Sequence, residues 1–101
     1  MSDERIDVVI SKDLEDLVPV FMSNRHKELE TLKQAVASQD FEQLRHLGHR
    51  MKGVGNSYGF ERVSTLGRCI EDLAKVEDVA SLGKEIASYE HYLAHLRIRY
   101  E

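Results

Sequence analysis

No apolar run in the sequence approaches the roughly 18 residues that a bilayer-spanning helix needs. Its opening, Met1-Ser2-Asp3-Glu4, is acidic where a secretory signal would be basic and then apolar. A soluble cytoplasmic protein with no membrane partner is the expectation. There is one cysteine, Cys69, so no internal disulfide can form, in agreement with a reducing compartment. A basic stripe is also lacking: 14 Lys and Arg are interleaved with 18 Asp and Glu, which argues against a nucleic-acid partner. Internal repeats, low-complexity tracts and linkers are absent. At 101 residues the chain suits one modest core and a single domain, residues 1–101.

What is present is helical periodicity. Residues 5–10 are too short to add a domain. Ser11, followed by Lys12, Asp13, Leu14 and Leu17, predicts a short capped helix over residues 12–17. The single proline, Pro19, suits the first turn of a helix over residues 19–38, because that position needs no amide hydrogen. Phe21, Met22, Leu29, Leu32 and Val36 share one side of it, with Arg25 as a polar intrusion. Asp40 and Gln43 have the form of a capping box and open a helix over residues 41–58. Its apolar positions Phe41, Leu44, Leu47, Met51, Val54 and Tyr58 continue through Gly53, so Gly59 is the expected terminator.

Val63, Leu66, Ile70 and Leu73 predict a helix over residues 60–76, with Glu61 near its positive end. Asp78 caps a last helix over residues 79–99, where Val79, Leu82, Ile86, Tyr89, Leu93, Leu96 and Tyr100 step by three and four. No segment reads as a half-buried strand. The connections are short enough to make neighbouring helices antiparallel. The expected fold is all-α, an antiparallel up-down-up-down four-helix bundle with a short extra N-terminal helix.

On the helix over residues 41–58, the apolar stripe is centred almost opposite His49, at about 100° per residue. His49 is therefore expected in solvent, among Glu42, Arg45, Lys52, Gly53 and Asn56. A mostly neutral imidazole keeps a free lone pair at cytoplasmic pH and can act as a nucleophile. Lys52, one turn on, is a mobile cation able to pair with an anionic group carried on that ring. Gly53 costs about 0.5–1 kcal/mol relative to alanine inside a helix, which a notch for a partner's backbone would explain. The competing explanation is that Gly53 or Gly55 simply ends the helix. Gly55 itself has no evident role.

The run His49-Arg50-Met51-Lys52-Gly53, with Gly59 and then Leu66, Ile70 and Leu73, resembles the histidine phosphotransfer (HPt) domains of two-component phosphorelays. The likeness covers residues 41–75, with Gly48 standing where many members carry alanine. It implies a phosphocarrier. His49 would accept a phosphoryl group from a receiver-domain aspartate or a hybrid histidine kinase and pass it to a response-regulator receiver. Lys52 would stabilise the phosphoryl group, and Arg45, Gly53 and Asn56 would dock the partner. The receiver brings its own metal and acids, so the resemblance implies no cofactor and no ATP-binding or hydrolytic site here, and a monomer is the expected state.

Gly53-Val54-Gly55-Asn56-Ser57-Tyr58-Gly59 misses the dinucleotide-binding spacing and lacks a preceding strand. His46 with His49 and His91 with His95 have metal-like spacings, but the first pair diverges by roughly 60° around the helix and the second flanks an apolar seam. Cys69 suits a partly buried thiol. Gly67 and Gly83 are expected to admit close helix contacts, and the charges of the last two helices a solvated face. The alternative function is a helical-bundle adaptor that docks receivers or other signalling proteins without carrying phosphate; His49 and Lys52 together argue against it.

Overall fold

The computed structural model describes residues 5–101. The order is β1 (Ile6–Ile10), a 3-10 turn (Lys12–Leu14), α1 (Val18–Ala37), α2 (Phe41–Ser57), α3 (Glu61–Lys75), α4 (Val79–His95) and β2 (Leu96–Tyr100). Four helices make up most of the chain, and each packs on two others in the ring α1, α2, α3, α4. Leu32, Leu44, Met51, Phe60, Val63, Leu66, Ile70, Leu82 and Tyr89 are fully buried at its centre. Among the described residues no helix is long and apolar enough to cross a membrane.

The three helix connections use one local device. At Gln39, Gly59 and Glu77 the backbone turns left-handed, with φ of 54°, 86° and 55°. The next amide then bonds back five residues: Asp40 to the Ala35 carbonyl, Phe60 to Gly55 and Asp78 to Leu73, at 2.8, 2.8 and 3.1 Å. Each is a Schellman closure, which satisfies carbonyls that the helix end leaves open. The residue that closes one helix is also the N-cap of the next. Asp40 accepts from the Gln43 amide and Asp78 from the Ser81 amide, both at 3.1 Å.

Two expectations fail at the chain ends. The helix expected over residues 12–17 is only the 3-10 turn at Lys12–Leu14, with Ser11 Oγ accepting from the Asp13 amide. The helix expected to reach residue 99 stops at His95, and Leu96–Tyr100 becomes a strand paired in parallel with Ile6–Ile10. Leu96 and Tyr100 lie four apart and fit a helical or an alternating period equally; Ile98 between them fits only the alternating one. Ile6, Val8 and Ile10 alternate in the same way, and their inward side chains close over the helices together with Leu96, Ile98 and Tyr100.

Arg25 is the other departure from an apolar stripe. It is buried, stands 4.7 Å over the Phe21 ring and pairs with Glu28 at 3.2 Å. Glu28 in turn accepts from the Tyr89 hydroxyl at 3.0 Å. Burial raises the pKa of this carboxyl despite Arg25, Tyr89 and Arg50 around it.

Candidate functional site

Helices α2 and α3 lie closer together than their apolar residues alone would allow. A Cβ on Gly48 would stand 2.6 Å from the Glu71 amide nitrogen, and one on Gly67 would stand 2.5 Å from Met51 Cβ. Gly55 meets the Ser64 backbone at 2.6 Å in the same way. Gly48 and Gly67 face each other across the helix pair and Gly55 faces Ser64, and only hydrogen fits at each of the three. Gly53 and Gly83 have nothing within 4 Å. The close contact expected at Gly67 is present; the one expected at Gly83 is not, because Gly83 faces outward from α4.

This close approach brings Glu71 of α3 against the outer side of α2. His49 stands in solvent with 68% of its side chain exposed, and its Nδ1 lies 3.1 Å from Glu71 Oε2. Lys52 Nζ lies 3.0 Å from the other oxygen, Oε1. Glu71 itself is 9% exposed. Its carboxyl is held below the usual glutamate range, chiefly by the Lys52 hydrogen bond and charge and then by His49, against the opposing pull of burial. An ionised carboxylate can only accept, so Nδ1 of a neutral His49 must carry the hydrogen. Nε2 is then the ring nitrogen with a free lone pair.

Ser64 supports the same stretch from below. Its hydroxyl donates to the Lys52 carbonyl and accepts from the Asn56 amide, both at 2.8 Å. Those two backbone groups are ones an α-helix would pair directly; Ser64 bridges them, one turn beyond His49. The role of Gly55 follows, since a side chain there would displace this hydroxyl.

Of the remaining residues singled out in sequence, Gly53 and Asn56 are exposed and Arg45 is half-buried. Arg50, beside His49, reaches back to Glu28 at 3.5 Å. His46 points to Glu42 at 3.9 Å, and His91 and His95 stack with ring centres 4.1 Å apart. Among the described residues no group of three or more His, Cys, Asp or Glu side chains is placed to hold a metal ion. Cys69 is free and half-buried.

Glu71 and Ser64 escaped the sequence reading, which assigned the charges of this helix to a solvated face. A signal was available. Ser64, Gly67, Glu71 and Ala74 recur at spacings of three and four beside the apolar stripe, a row of small residues interrupted by one acid.

A search of curated proteins found no match, and neither did a search of solved structures. The family model for the Hpt domain matches residues 16–99, nearly the whole chain. The chain belongs to the Hpt domain family, and with it to the phosphotransfer machinery of two-component signalling.

Proposed function

We propose that His49 is the phosphoryl acceptor of this Hpt domain and passes the group between the aspartates of partner receivers. The observation that carries this reading is the shared carboxylate of Glu71, bonded to His49 Nδ1 on one oxygen and to Lys52 on the other. In the transfer, the Nε2 lone pair attacks the phosphorus of a receiver's acyl phosphate. An N–P bond forms, the P–O bond to the aspartate breaks, and the carboxylate leaves with its electron pair. The ring keeps its Nδ1 hydrogen and becomes cationic, which the buried Glu71 carboxylate stabilises without any proton being moved. The reverse sequence discharges it.

Lys52 has two tasks in this reading. It holds Glu71 ionised, and its mobile ammonium can turn to the phosphoryl oxygens when they arrive. Arg45, Gly53 and Asn56 form the docking ground around His49, with Gly53 leaving room for the partner's backbone. The receiver supplies the metal ion and acid cluster, so the chain acts as a carrier and not as a hydrolase. The up-down-up-down order of the bundle belongs to the same reading. It is supported by the short connections and by the ring of helix neighbours. A cytoplasmic location follows from receivers being its partners.

The test is phosphotransfer from a labelled, phosphorylated receiver. The expected product is an acid-labile, alkali-stable adduct that is absent from His49→Gln. Equal labelling of that variant would remove His49 as the acceptor.

A further inference from the structure

Among the described residues the two-stranded sheet leaves one edge of each strand unpaired. The Glu101 amide donates to the Ile10 carbonyl and the Lys12 amide donates to the Glu101 carbonyl, at 3.0 and 3.1 Å. Main-chain groups alternate sides along a strand, so the even-numbered residues of β1 turn theirs to β2. Those of Asp7 and Val9 face outward, and no other described element pairs with them. An open edge of this kind is a template for another strand.

Beside that edge runs a groove of about 650 Å³, lined by residues 6–9 together with Asn56, Glu61, Arg62 and Tyr92. Four consecutive strand residues line it, as they do where a cavity follows the edge of a strand and not one face. It continues past Ile6 into a hollow of about 330 Å³ beside Ser88 and His91. Tyr92 forms part of the floor of both; it is 3% exposed, and its buried hydroxyl has no hydrogen-bond partner among the described residues. Arg62, exposed and without an ion pair among the described residues, lines both hollows beside Tyr92, with Glu61 next to it in the larger one. Asp7 is already paired with Arg5 at 3.5 Å on the outer face.

We propose that the free edge of β1 docks an extended peptide segment of a partner protein, with an acidic side chain turned inward to Arg62 and Tyr92. The segment pairs its main chain with Asp7 and Val9, and its inward side chains fill the groove. The acid meets the exposed Arg62 guanidinium, above the buried Tyr92 hydroxyl that has no partner among the described residues. A second copy of this chain suits the groove less well, because its own Ile6, Val8 and Ile10 are already packed inward against its own helices. The groove shares Asn56 with the docking ground around His49 but holds neither His49 nor Lys52, and peptide docking there does not depend on phosphotransfer.

The full chain is to be panned against a phage library of random linear peptides, and the enriched peptides synthesised and titrated by fluorescence polarisation. Enriched sequences should alternate apolar residues and share an Asp or Glu. Val9→Pro removes an outward amide but no β1–β2 hydrogen bond, and Arg62→Glu reverses the floor charge. Each should weaken binding by about tenfold or more, the loss of one charge-assisted or main-chain contact, while His49→Gln binds as wild type. If Val9→Pro does not fold, amide shifts of Asp7 and Val9 on titrating the wild-type chain replace it as the readout of edge pairing. Failure to enrich any peptide, equal binding by Arg62→Glu, or shifts confined to other surfaces would overturn the proposal. A dimer in light scattering that Val9→Pro dissociates would overturn it in favour of self-pairing.

Discussion

Gly55 of α2 and Ser64 of α3 meet so closely that a Cβ on the glycine would lie 2.6 Å from the serine hydroxyl and 2.6 Å from its amide nitrogen. The Phe60 carbonyl oxygen would be 2.8 Å away. Two of these three neighbours are backbone atoms and cannot turn aside. Gly55→Ala is therefore expected to destabilise the fold by about 1–3 kcal/mol, the usual range for overpacking. Urea denaturation measures it, and the loss should persist in Gly55→Ala with Ser64→Ala, since the backbone clash remains.

Gly53 has the opposite surroundings, with nothing within 4 Å of a built Cβ. Gly53→Ala should stabilise the helix by about 0.5–1 kcal/mol, because an interior glycine only adds unfolded-state freedom. A bulky residue there should slow phosphotransfer from a receiver while leaving thermal stability near wild type. Loss of stability instead would return Gly53 to a purely structural role.

Glu71→Gln keeps the shape of the side chain and removes its charge. The amide can donate as well as accept, so it no longer holds the hydrogen of His49 on Nδ1. Nitrogen NMR of the ring should show one dominant tautomer in the wild type and a mixture in the variant. Removing a charge-assisted hydrogen bond of about 1.5–3 kcal/mol should slow transfer roughly 10- to 100-fold. Unchanged transfer with a mixed tautomer would show that orientation of the ring is not limiting.

Because the Glu71 pKa is lowered on folding, mainly by Lys52, its stabilising contribution is present above the ordinary glutamate value of about 4.3 and is lost as pH falls through the lower folded value. Melting temperature should therefore fall less steeply on acidification in Glu71→Gln than in the wild type. Glu28 acts with the opposite sign: its raised pKa gives a contribution that is full below the ordinary value and lost as pH rises through the folded one. Glu28→Gln should accordingly steepen the acid limb.

Glu28→Ala leaves Arg25 buried without its carboxylate, with side-chain exposures of 7% and 1% in the intact pair. The expected loss is about 3–5 kcal/mol by denaturation, the cost of an unpaired buried charge. Tyr89→Phe removes one hydrogen bond to the same carboxylate and should cost about 1 kcal/mol.

The sequence by itself determined the four helices, their Asp40 and Asp78 caps, the turn at Gly59 and the placing of His49, Lys52 and Gly53 on the exposed side of α2. These depend on residues within a few positions of one another, where the helical period and the capping chemistry act. Only the tertiary structure decided that Glu71, 22 residues beyond His49, turns its carboxylate to that histidine and to Lys52. It also decided that Ser64 bridges the backbone of α2, which gives Gly55 its reason. The same holds for Leu96–Tyr100, whose spacing suits a helix until Ile6–Ile10, from the other end of the chain, supplies a strand to pair with. In each case the deciding contact joins segments distant in sequence, and local propensity carries no record of which partner will arrive.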